Sequence, residues 1–203
     1  DVNPNNFKFK LKVAGNYNVY NALAAAAAAQ ALGVGKRQIT YSLNHFLGIR
    51  GRMEEVESKL NFRTIVDFAH TPNSIEQALT ALKQSQPKGA KLIAVFGAAG
   101  NRDKTKRPKM GEAAAKYADV CVLTAEDPRS EKVEKICTQI AAGITKLGKK
   151  EGVDFFNVYD RAKAINFAVK MAKKGDIVVT LGKSHEKSMA YGKKEYPWDE
   201  FAA

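Results

Sequence analysis

With 203 residues, 45% of them hydrophobic, the chain is long enough for one α/β domain plus an additional piece and too apolar for global disorder. No apolar run approaches the roughly 20 residues that span a bilayer, which excludes a membrane helix. The net charge of +12 raises nucleic acid as a partner, but basic clusters such as Lys104, Lys106, Arg107 and Lys109 have no interleaved aromatics for stacking, so a solvated surface that attracts small anions is the better reading.

The chain begins at Asp1 without a signal peptide in view, and its native N-terminus is expected upstream. Phe7, Phe9, Leu11 and Val13 alternate with lysines, which predicts a half-exposed strand. A helix follows from about Asn18 to Leu32, containing the uniform stretch Ala24 to Ala29, and Gly33 stops it. A short second helix carries Ile39, Leu43 and Phe46. The two glycines of Gly48-Ile49-Arg50-Gly51-Arg52 then mark the best boundary in the chain.

Beyond it the rhythm is regular. Strands are predicted at 53–58, 62–67, 91–96, 119–124, 154–159 and 176–181. Helical stripes fall between them, at Ile75/Leu79/Leu82, Met110/Ala114/Tyr117, Ile136/Ile140/Ile144 and Ile165/Ala168/Ala172. Thr71-Pro72, Ser130 with Glu131, and Asp160 are cap-type residues at helix starts. This alternation predicts an α/β fold with a mostly parallel sheet covered on both faces. The tail from Lys187 onward reads as irregular. Cys121 and Cys137 lie on apolar faces as small core residues, which fits a reducing cytoplasm.

Ligands of such sheets bind beyond the carboxyl ends of the strands, and the unusual polar residues gather there. Asp67-Phe68-Ala69-His70-Thr71-Pro72 joins a strand to a helix start, either as ordinary capping or as an anion site. Gly97-Ala98-Ala99-Gly100-Asn101-Arg102-Asp103 follows another strand, either as a plain connection or as a glycine-bearing loop that lets a ligand approach Arg102. Glu126-Asp127-Pro128-Arg129 is a charged corner. Gly182-Lys183-Ser184 has the tail of a phosphate loop, but Ile177 occupies the place of its leading glycine. His185-Glu186 fails as a zinc helix because Met189 replaces the second histidine. The histidines have no metal spacing, and no metal ligands are expected in this chain.

Taken in order, these pieces resemble the Mur ligases, and within them the ligases that add the third peptide residue. The matching run is Gly15-Asn16-Tyr17-Asn18-Val19-Tyr20-Asn21-Ala22, Gly51-Arg52-Met53-Glu54, Asp67 through Pro72, Phe96-Gly97, Asn101-Arg102-Asp103, Lys106-Arg107-Pro108, Met110-Gly111, Asp127-Pro128-Arg129, Asp160-Arg161-Ala162 and Gly182 through Glu186. The resemblance implies a fragment: residues 1–48 as the end of a central ATP-binding domain, and 49–203 as a Rossmann-like C-terminal domain. The N-terminal domain, phosphate loop and magnesium ligands would lie upstream, leaving no catalytic residue in this chain. By residue match, Asn18, Asn21, Arg52, Asp67 and His70 would surround ATP. Arg102, Asp127, Arg129, Gly182 and Glu186 would line the pocket for the incoming amino acid. The implied reaction is ATP-dependent addition of a diamino acid, meso-diaminopimelate, to UDP-MurNAc-dipeptide in the cytoplasm. Two positions depart from the family: Asp127 stands where diaminopimelate-adding members have asparagine, and Ser184 where glycine is usual. The alternatives are another ligase of the superfamily, of the folylpolyglutamate or cyanophycin synthetase kind, and a non-catalytic nucleotide-binding module.

Overall fold

A computed structural model describes residues 8–13 and 15–203. The chain forms two compact units, Asp1–Ile49 and Arg50–Ala203.

The first unit holds α1 (Asn16–Ala31) and α2 (Lys36–His45). Alanine has the lowest cost in a helix, and α1 runs through its alanine stretch until Gly33 takes φ 84°. There the Gly33 and Val34 N–H groups donate to the carbonyls of Gln30 and Ala29, both at 3.0 Å, satisfying the open end of the helix. Ala22, Ala26 and Ile39 are its buried residues. Of the expected N-terminal strand, Phe7 lies outside the described residues, and 8–13 are irregular. The Lys10 N–H donates to the Asn44 side chain at 2.7 Å, and among the described residues no strand ladder forms there.

The second unit is a six-stranded sheet in the order β1-β2-β6-β3-β4-β5. Its strands are β1 (Glu54–Glu55), β2 (Arg63–Asp67), β3 (Leu92–Phe96), β4 (Val120–Leu123), β5 (Phe155–Asn157) and β6 (Ile177–Leu181). All run parallel except β1. The connections are helical: α3 (Pro72–Ser85), α4 (Lys106–Tyr117), α5 (Val133–Thr145) and α6 (Arg161–Met171). Side chains alternate across a strand. Thus Ala94, Phe96, Cys121 and Leu123 pack against α3, α4 and α5, while Ile93, Val95, Val120 and Val122 pack against α6. Both cysteines are free and buried. Each fully buried leucine or isoleucine in these layers contributes on the order of 2–3 kcal/mol. Among the described residues no helix is long and apolar enough to cross a membrane.

Thr71 caps α3 in a reciprocal box with Ser74, and Asp160 caps α6 through the Lys163 N–H at 2.9 Å. Ser130 and Glu131 do not cap α5. That helix begins after Lys132 without a side-chain cap, because both side chains are committed to the loop after β3. The tail is not irregular either. β7 (Ser188–Tyr191) and β8 (Lys194–Pro197) form an antiparallel hairpin. Its adjacent Met189 and Ala190 are both buried, which removes the alternation that signals a strand in sequence.

The segment between the units is the expected site of cleavage. Arg50 has an exposed side chain, whereas Arg52 lies between two tethered groups: the Gly51 carbonyl accepts from Ser184, and the Met53 N–H donates to Asp67. Limited trypsin digestion should therefore cut after Arg50 and leave a stable fragment of about 150 residues. Retention of residues 1–50 after the rest has been digested, read by mass spectrometry, would contradict this.

Candidate active site at the carboxyl edge of the sheet

β6 lies between β2 and β3, so the turns after these strands meet at one edge, and the turn after β4 joins them. At the end of β2, Asp67 uses Oδ2 to accept from the Met53 N–H at 2.8 Å and Oδ1 to accept from the Ala69 N–H at 2.9 Å. Burial raises its pKa, against those two hydrogen bonds and the Arg52 charge. The Arg52 guanidinium sits 4.5 Å over the Phe68 ring, whose neighbours are the rings of His70 at 4.8 Å and His185 at 5.2 Å. His70 Nδ1 lies 2.9 Å from the Phe68 carbonyl, to which it donates. Arg52, Asp67 and His70 are therefore gathered, with Phe68 and His185, assigned no site role from sequence, as ring neighbours. Asn18 and Asn21 belong to the first unit, where they are adjacent on α1, with Asn21 Nδ2 3.3 Å from Asn18 Oδ1.

The loops after β3 and β4 are clasped together. Arg107, fully buried, gives two hydrogen bonds to Glu131 at 3.0 Å and one to the Ala99 carbonyl. Its guanidinium pulls the Glu131 carboxyl down to about 2. Gly100 packs so closely on Pro128 that a Cβ would run into the Pro128 carbonyl, so no other residue fits. Arg102, on the same loop, is exposed.

The corner after β4 is strained: Asp127 has φ 42° and Arg129 φ 49°. The hairpin holds it there. The Arg129 N–H donates to the Ala190 carbonyl at 3.0 Å, and the Gly192 N–H to the Arg129 carbonyl at 2.7 Å. Asp127 Oδ1 accepts from the Ala190 N–H at 2.9 Å. Among the described residues the Arg129 guanidinium makes one hydrogen bond, to the Gly100 carbonyl at 2.9 Å. Buried Lys183 joins the corner to the turn after β6, reaching Asp127 at 2.8 Å and Glu186 at 2.7 Å. Asp127, Arg129, Gly182 and Glu186 are thus brought together, with Arg102 on the adjoining loop. Gly182, at φ 102°, lies against the Glu126 carboxyl, which a Cβ would strike.

Glu126 was read only as part of the charged corner. It is buried, and its Oε2 has no hydrogen-bond partner. Burial pushes its pKa up to about 8, against the pull of Arg161 and Lys106 and with Asp127 adding to the rise. Among the described residues no three acidic, imidazole or thiol side chains gather as metal ligands.

A model of the family described as Mur ligase, glutamate ligase domain, matches residues 51–184. The chain belongs to the Mur ligase family. It is 43% identical, over 95% of its length, to the UDP-N-acetylmuramoyl-L-alanyl-D-glutamate--2,6-diaminopimelate ligase of Caldanaerobacter subterraneus subsp. tengcongensis. It is also 43% identical, over 95% of its length, to the UDP-N-acetylmuramyl-tripeptide synthetase of a Roseiflexus species. A solved structure of a UDP-N-acetylmuramoyl-L-alanyl-D-glutamate--2,6-diaminopimelate ligase superposes on 96% of the chain, with a TM-score of 0.70 and 33% identity. The chain spans 39%, 38% and 38% of these three proteins, respectively. In this Mur ligase family member the charged corner and the turn after β6 lie at one edge of the sheet.

The buried Glu126 gives a pH dependence of fixed sign. Its folded pKa of about 8 exceeds the ordinary 4.5, so the unfolded chain ionises first as pH rises. Stability is undiminished by this group below pH 4.5, falls between 4.5 and 8, and is level above. At about 1.4 kcal/mol per pKa unit, reduced by relaxation, Glu126→Gln should gain about 1–3 kcal/mol over wild type between pH 5 and pH 8. Urea unfolding of both proteins at the two pH values tests this. An equal difference at both would refute it.

Proposed function

We propose that the chain is the C-terminal part of an ATP-dependent ligase that adds meso-diaminopimelate to UDP-MurNAc-dipeptide in the cytoplasm. Residues 1–48 are then the end of the central ATP-binding domain, and 49–203 are the amino-acid-binding domain. Asn18, Asn21, Arg52, Asp67 and His70 serve ATP, with the Arg52–Phe68–His70 group offering a flat cationic and aromatic face of the kind that accepts a base. Arg102, Asp127, Arg129, Gly182 and Glu186 serve the amino acid. ATP, with Mg2+ held by residues outside this chain, phosphorylates the dipeptide carboxylate to an acyl phosphate and leaves ADP. The free amine attacks the acyl carbon, loses its proton, and the tetrahedral intermediate expels phosphate as the amide forms. This chain's residues orient the amine, and the ordering of two anions and an amine in one site is the main source of acceleration it supplies.

The observation that carries the reading is Arg129: a guanidinium with unspent donors at the strained corner, in a chain whose relatives bear the diaminopimelate ligase name. Diaminopimelate differs from lysine by a carboxylate at its far end, and a bidentate arginine can hold that group. The departure at Asp127 is balanced here, since Lys183 pairs with its carboxylate.

In the full-length enzyme, Arg129→Ala should raise the KM for diaminopimelate at least about tenfold, corresponding to about 1.5–3 kcal/mol for a charged hydrogen-bonded contact. The ATP KM should stay within about twofold of wild type, and the loss should be smaller for lysine. A wild-type enzyme that uses lysine at least as well as diaminopimelate would remove the assignment.

No G-x-x-x-x-G-K-[ST] run occurs in the chain. The isolated 203-residue protein should accordingly show no ATP turnover. Phosphate release above a matched blank would contradict this.

A further inference from the structure

Lys183 belongs to a sequence that fails as a phosphate loop, and its fold gives the lysine different work. Its side chain is 1% exposed, and its ammonium reaches Asp127 Oδ1 at 2.8 Å and Glu186 Oε2 at 2.7 Å. These two carboxylates come from different turns, after β4 and after β6, and Lys183 is the ionic link between them. The second oxygen of each, Asp127 Oδ2 and Glu186 Oε1, has no partner among the described residues. One ammonium facing two carboxylates leaves the group with one surplus negative charge. The buried, unpartnered Oε2 of Glu126 lies beside it, against Gly182. The cluster is short of one cation and oversupplied with acceptors.

We infer that Lys183 is a positioning residue that makes the pocket select an amino acid carrying an ammonium at its far end. It clamps Asp127 and Glu186 at a fixed separation, so that their free oxygens meet one ammonium together. Without it the two carboxylates repel each other, and either their side chains part or one takes a proton, which costs an acceptor in each case. The Asp127 departure and the buried lysine are then one arrangement, with Arg129 left to hold the neighbouring carboxylate. The inference rests on the ligase reading and adds a specificity determinant to it.

The test compares meso-diaminopimelate with 2-aminopimelate, which keeps both carboxylates and lacks the far amino group. In the full-length wild-type enzyme the ratio of kcat/KM values should favour diaminopimelate by at least about tenfold. Lys183→Met should lower that ratio at least about fivefold while the ATP KM holds within about twofold. Lys183→Gln, which keeps a donor without the charge, is read in the same way should the methionine variant fail to fold. A ratio unchanged from wild type overturns the inference, and so does an equal loss on both substrates, which is the mark of a purely structural lysine. A wild-type enzyme that ligates neither substrate overturns the ligase reading, and the inference with it.

Discussion

The carboxyl edge depends on one buried guanidinium. Arg161 opens α6 beneath the sheet edge, and its Nε donates to Glu200 at 2.9 Å. Its other nitrogens reach the Ala125 carbonyl at 3.0 Å, just past β4, and the Leu181 carbonyl at 2.9 Å, on the last residue of β6. Burying two charges is costly, and it is recovered only where each has its hydrogen bonds. Here it has: Glu200 also accepts from the Trp198 indole at 2.8 Å, and although burial raises its pKa, the Arg161 charge and hydrogen bonds outweigh that and hold it below the ordinary value. The result ties the last residues of the chain to the two turns that carry Asp127, Arg129, Gly182 and Glu186.

On that foundation the loops interlock through contacts that leave little freedom. Gly100 lies on the Pro128 backbone at a distance that admits no side chain, and Gly182 takes φ 102° against the Glu126 carboxyl. Asp127, Arg129 and Ser184 occupy left-handed backbone conformations that cost about 1–3 kcal/mol each. The β7–β8 hairpin over-determines the corner through its hydrogen bonds to Arg129 and Asp127. Strain of this kind persists where the surroundings fix it, and it re-aims side chains that a relaxed turn would leave in solvent.

Charge at the edge is sorted by burial rather than by count. Arg107 and Glu131 form a tight pair that fastens two loops. Glu126, buried and with its Oε2 unpartnered among the described residues, is driven towards its neutral form. The Asp127–Lys183–Glu186 group keeps one negative charge, while Arg102 and the outer face of Arg129 remain cationic. Cationic and anionic surfaces side by side suit a zwitterionic ligand better than a plain anion, which the overall charge of +12 would have suggested.

The sequence by itself determined the α/β class, the strands of the sheet and the stripes of the four helices packed on it, because buried strands and amphipathic helices impose their periods on neighbouring residues. It also marked the Asp67–Pro72 turn and the Asp127–Arg129 corner, whose residue types are unusual at strand ends. What only the tertiary structure decided depends on partners far apart in the chain. The Met189-Ala190 hairpin has no alternation to reveal it, and its place against the corner follows from contacts across 62 and 63 residues. Ser130 and Glu131 have the chemistry of caps but were drawn to Asn101 and Arg107. Lys183 reads as a failed phosphate lysine until Asp127, 56 residues away, is seen to hold it. Glu126 is one acid among many in the sequence, and it becomes an unusual one because folding buries its Oε2 with no donor for it among the described residues.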